Sequence, residues 1–161
     1  MIVLFYTLLS ILNLSAVHAD EKPYELGLAT NSVLMAPSPW SFQGSFDISK
    51  KIKDSETYEL GLLADIGYYS TSSSFRLLFA PTVHPLPGAW NNAFFFRPLL
   101  GVARSSSGAL TYFGISIGVT VGKRFPITDQ LCFKPSIEFS RDAMDIANIN
   151  FNILGLSLFL E

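Results

Sequence analysis

From Tyr24 onward, apolar side chains recur at every second position and almost nowhere at the helical spacing of 3.6. Strict alternation is the mark of a strand with two unlike faces. Eight such runs follow one another. The first three carry Tyr24, Leu26 and Leu28, then Trp40, Phe42, Phe46 and Ile48, then Tyr58 through Tyr68. The fourth and fifth carry Phe75, Leu77, Phe79, Pro81 and Val83, then Phe94, Phe96, Pro98, Leu100 and Val102. The sixth and seventh carry Phe113, Ile115, Ile117, Val119 and Val121, then Leu131, Phe133, Pro135, Ile137 and Phe139. The eighth changes phase, from Ile149, Phe151 and Ile153 to Leu154, Leu156, Leu158 and Leu160, which predicts a β-bulge near Ile153 and Leu154. Residues rich in turn formers separate the runs, and neither a second domain nor a linker interrupts them.

Alternation alone does not say which face is inside; the charges do. The chain has eleven basic and thirteen acidic residues, 15% of the total, a low proportion for a chain that is 49% hydrophobic. Eight of them fall within strands: Glu25, Asp47, Glu59, Asp65, Arg76, Arg97, Lys134 and Glu138, all on the polar face. None interrupts an apolar face. The polar face is also small, carrying Gly27, Gly61, Gly67, Gly101, Gly114, Gly118 and Gly122. Bulky apolar residues on one face suit hydrocarbon, which penalises polar groups, while glycines and a few ions suit a narrow lumen. At ~9–11 residues per membrane strand, eight strands use about 80 residues and leave enough for short connections. The expected fold is therefore all-β: an eight-stranded antiparallel up-and-down transmembrane barrel. Tyr24, Tyr58 and Phe94 at one end, with Trp40, Tyr68 and Phe75 at the other, mark expected aromatic girdles.

Residues 1–19 contain no Asp, Glu, Lys or Arg, run apolar from Ile2 to Leu9, and end Val17-His18-Ala19. Small residues before Asp20 read as a cleavage site, so 1–19 is expected to be a signal peptide and 20–161 the barrel. The near balance of charge gives no basic face for nucleic acid. A lone Cys132 excludes an internal disulfide, and one mature histidine, His84, leaves no metal cluster. No cofactor is expected.

The pattern over the whole mature chain resembles the small eight-stranded outer-membrane barrels of Gram-negative bacteria. That group includes the outer-membrane protein A and X types and the lipid A deacylase and palmitoyltransferase barrels. The resemblance implies an outer-membrane location, a lipid environment that includes lipopolysaccharide, insertion by the barrel assembly machinery, and a monomer. Members usually end in an aromatic residue, whereas this chain ends Leu158-Phe159-Leu160-Glu161. The deacylase is similar at Phe79-Ala80-Pro81, but where it carries a His-x-Ser pair this sequence has Glu138-Phe139-Ser140. Ser140 and Glu138 are thus the only catalytic candidates, and Ser140 lacks the histidine that would activate it.

Inside so narrow a barrel, Glu25, Asp47, Glu59, Asp65, Arg76, Arg97, Lys134 and Glu138, with His84 nearby, are expected to pair into a structural network. Asp47, Glu59, Arg97 and Lys134 should share one depth towards the periplasmic end, and acids should exceed bases by two. Proline removes a ladder donor, yet Pro81, Pro98 and Pro135 lie within strands. A symmetric turn near Gly88 would set Pro81 opposite Pro98 and weaken that seam, a place for lateral lipid contact as in the palmitoyltransferase group. The surface loops, 31–39, 71–74, 104–108 and 141–148, are short and mostly serine-rich. Three functions are consistent with these residues: a non-enzymatic envelope or surface-interaction barrel, a deacylase-like lipid A-modifying relative with altered catalytic residues, and a soluble secreted barrel for an apolar ligand.

Overall fold

The computed structural model describes residues 22–33, 42–52, 57–69, 72–86, 90–141 and 147–160. The expected signal segment and most of the loops at 31–39 and 141–148 lie outside them, as does Trp40. Eleven strand segments form: β1 (Tyr24–Val33), β2 (Phe42–Lys51), β3 (Tyr58–Tyr69), β4 (Ser72–Phe79), β5 (Thr82–Val83), β6 (Phe94–Ser107), β7 (Leu110–Lys123), β8 (Phe125–Pro126), β9 (Leu131–Phe133), β10 (Ser136–Arg141) and β11 (Ala147–Leu160). Three pairs of segments each make one stave: β4 with β5, β7 with β8, and β9 with β10. Each neighbour pairs antiparallel, and β11 pairs back onto β1, so eight staves close into a barrel without a free edge.

The interruptions are local and have causes. Pro81 splits the fourth run and Pro135 the seventh, because neither can donate to a ladder. The bulge falls at Ile153: Thr30 pairs with Leu154 and Asn31 with Asn152, leaving Ile153 unmatched and both Ile153 and Leu154 facing outward. At the β6–β7 hairpin, Ser107 pairs with Leu110, and Gly108 takes φ 58°, a left-handed conformation that favours glycine. Among the described residues one short helical turn, Trp90–Asn92, folds beneath the end of the barrel that carries Tyr24 and Leu160.

The wall is greasy outside and charged inside. Along β6, Phe94, Phe96, Pro98, Leu100 and Val102 are exposed, while Phe95, Arg97, Leu99 and Ala103 are buried. Lysines sit over rings at the terminal end: Lys50 Nζ is 5.1 Å from the Tyr24 centroid and Lys123 Nζ is 4.8 Å from that of Phe94. Near the hairpin end Phe75, Arg104 and Phe113 form a cross-strand row. Between Phe94 and Arg104 on β6 lie ten residue steps. At roughly 3.3 Å each and a tilt of roughly 40°, they rise about 25 Å, the height of the apolar band that a bilayer demands.

Candidate functional site

Two charged clusters fill the lumen, one above the other. The cluster at the terminal end centres on Arg124, which is 0% exposed. Its Nη2 bonds Glu25 and lies 2.6 Å from Glu59 Oε1, while Nη1 is 3.1 Å from His84 Nε2 and 3.3 Å from the Trp90 carbonyl oxygen. The Trp90 ring stands 5.1 Å from its guanidinium carbon, with Phe95 and Phe159 at 5.8 and 5.7 Å. Lys134 Nζ bridges Glu25 at 2.8 Å and Asp47 at 3.1 Å, and Arg97 Nη1 donates to Asp47 at 2.9 Å. Arg97 Nε donates to Thr82 and Ser49 to Glu59. His84 Nδ1–H donates to the Phe94 carbonyl at 3.0 Å, and Nε2 contacts Glu59. Beneath this cluster Trp90, Cys132 and Phe159 pack together, and the thiol donates to the Asn91 carbonyl.

Nearer the hairpin end, Arg76 spans the lumen. It reaches Asp65 at 2.6 Å on one side, and Glu138 at 2.7 Å and Ser140 at 3.0 Å on the other. Asn150 Nδ2 donates to Glu138 at 3.2 Å. Between the two clusters remains a cavity of about 30 Å³, bordered by Asp47, Arg97, Lys134, Glu138 and Asn150. That is room for about two waters. An apolar patch of Leu63, Leu78, Ala80 and Leu99 lines the wall at the same height as Pro81 and Pro98.

Asp47, Glu59, Arg97 and Lys134 fall in the terminal-end cluster with Glu25 and His84; Asp65, Arg76 and Glu138 form the other. Arg124 corrects the expected arithmetic. As a residue beyond the last alternating position it reads as a strand-end charge, but it is inside, so within the two clusters acids exceed bases by one, not two, and Lys22 is buried besides. That excess lies in the Asp65–Arg76–Glu138 cluster. The signal was present: Ser116, Gly118, Thr120 and Gly122 face one way, and the same step reaches Arg124. Trp90, hidden in a turn, carries no such periodic clue. As for chemistry, the Ser140 hydroxyl accepts from Arg76, and His84 belongs to the other cluster.

No family model and no curated protein matches this sequence. Solved structures do. Neisserial surface protein A superposes with a TM-score of 0.64 at 11% identity, covering 85% of this chain and 94% of that one. The N-terminal β-barrel domain of Pseudomonas aeruginosa OprF gives 0.58 at 11% identity over 85% and 96%. This chain has the fold of the small eight-stranded outer-membrane barrels. Ail, the attachment invasion locus protein of Yersinia pestis, is similar at a TM-score of 0.50 and 9% identity over 85% and 98%. With that fold, the barrel's exposed leucines, isoleucines and phenylalanines form its membrane-facing wall.

Proposed function

We propose that this is a monomeric outer-membrane protein, exported behind residues 1–19, which serves envelope architecture or surface contact without catalysing a reaction. The observation that carries this reading is the lumen: ion pairs cross it at two heights and leave a cavity of about 30 Å³. Such an interior braces the staves and passes no solute. The groups a hydrolase would need are already committed, since Ser140 and Glu138 are both bonded to Arg76. A soluble carrier of an apolar ligand would need a greasy interior, and this one is charged. Two measurements test the reading, one on the purified protein and one on a strain pair with and without it. Purified protein in planar bilayers should give no stable conductance, and lipid A mass spectra should be the same with and without the protein. Steady single channels, or a change in lipid A acylation that depends on the protein, would overturn it.

A second reading concerns the seam between β5 and β6. The amide of Ala80 donates to Gly61 on β3, so Pro81, one residue on, turns its nitrogen towards β6. Ala93 accepts from Arg124 on the β7 side, so the even residues of β6, Pro98 included, turn towards β5. Phe79 pairs with Leu100 and Val83 with Phe96, which sets Pro81 opposite Pro98. Both donors of that pair are missing. Two ladder bonds are lost at mid-wall, directly in front of the apolar patch of Leu63, Leu78, Ala80 and Leu99. This favours a lateral contact in which an acyl chain lies in the seam. A photoreactive acyl chain should label this seam more than the others, and Pro81→Val with Pro98→Val should remove the excess; unchanged labelling would refute the contact.

A further inference from the structure

The outer wall near the hairpin end changes character over three tiers. Leu77, Val102 and Ile115 make an aliphatic row across β4, β6 and β7. One outward position further along, the row is Phe75, Arg104 and Phe113. The next holds Ser73, Ser106 and Thr111, with Tyr68 beside Ser73, and the Ser73 and Ser106 hydroxyls are hydrogen-bonded at 2.9 Å. A cleft of about 280 Å³ opens on this wall between Tyr68, Ser73 and Ser106 on one side and Ile66, Phe75 and Arg104 on the other.

Arg104 is the cation of that cleft, and no carboxylate borders it among the described residues. Its guanidinium carbon lies 5.8 Å from the Phe113 centroid, so the ring holds the fork in place while its donors stay exposed. Every other arginine that faces the lumen meets an acid; this one faces away from it. The height is informative too. Arg104 marks one edge of the roughly 25 Å apolar band whose other edge is the Phe94–Lys123 row. A cation at that edge stands at headgroup level, where the ligand in reach is an anionic group carried on acyl chains.

We propose that Arg104, with the Ser73 and Ser106 hydroxyls, is a phosphate site for a lipid of the outer leaflet, lipopolysaccharide. An acyl chain of the same molecule descends over Phe75 and Leu77. A guanidinium fork suits a phosphate oxygen pair, and the serine pair, whose mutual bond uses one hydroxyl proton, supplies one further donor to the same anion. The inference rests on the outer-membrane reading above.

The test uses the refolded barrel in mixed micelles with either phosphorylated lipid A or the same lipid with its phosphates removed, and reads retained lipid by native mass spectrometry. Wild type should retain the phosphorylated lipid about fivefold over the other, the effect of one cation near a charged surface. Arg104→Gln should abolish the preference, Arg104→Lys should restore part of it, and Ser73→Ala with Ser106→Ala should reduce it. Equal retention of the two lipids by wild type, or an intact preference in Arg104→Gln, would overturn the site. Displacement of the lipid by inorganic phosphate alone would show a free-anion site and overturn the lipid assignment. Heat-dependent gel migration of each variant reports folding separately. A wild type that folds without any amphiphile would sink the membrane reading itself, which is a different failure from lost selectivity.

Discussion

Arg124 shows how far one buried residue can govern a lumen. It bonds Glu25 and Glu59 and contacts His84, with three rings around it, so its removal leaves Glu25 with Lys134 alone and buried Glu59 with only Ser49 and His84. Breaking a buried pair in this way costs about 3–5 kcal/mol. Arg124→Leu should lower the unfolding free energy in urea by that amount, and a loss below about 1 kcal/mol would show that the network does not brace the barrel. Gly27 carries a related constraint, because a Cβ there would overlap the Asp47 carboxylate. Gly27→Val should cost about 1–3 kcal/mol by overpacking and disturb the Asp47 bridges to Lys134 and Arg97. The same denaturation series checks it, with an outward Val102→Ile as the neutral comparison. The inward acids were legible because each sits in phase with glycines and serines. Arg124 was one step past the run, and Trp90 had no phase to read. Pairing partners were hidden for a further reason: Arg76 and Ser140 lie 64 residues apart, and only closure brings them across the lumen.

At the scale of the strand, alternation located all eight staves and predicted the Ile153 bulge, since a change of phase has one simple structural cause. It did not separate β4 from β5 or β9 from β10, because a proline keeps its side chain in phase while deleting its hydrogen bond. The β5–β6 seam is therefore the weakest part of the ladder, and its amides report that. In native-state hydrogen exchange, the amides of residues 79 and 83 facing β6 should exchange faster than those of the β6–β7 hairpin, which pairs without a break from Phe94 to Ser107. Protection at the seam equal to that of the hairpin would contradict the missing bonds. In Pro81→Val with Pro98→Val, two donors return and the difference should shrink.

For the whole molecule, the inside-out distribution of polarity decides everything else. A lumen with ion pairs at two heights and a wall of exposed leucine, isoleucine and phenylalanine cannot be reconciled with water on both sides. Fold and orientation of faces were legible because charge placement is a whole-chain property that a local interruption does not erase. Function was not, because the lumen carries bracing in place of a motif, and the outer cleft is assembled from β3, β4 and β6, with Arg104 an ordinary strand-end cation in sequence. The most direct measurement is collision accessibility of spin labels placed singly at residues 94, 96, 100, 102, 104 and 106 of β6 in a bilayer, with Cys132→Ser as background. Accessibility to lipid-soluble oxygen should peak at 100 and fall towards 94 and 104, with a water-soluble nickel complex giving the inverse profile. A nickel complex that reaches residue 100 as freely as residue 106 would contradict the account.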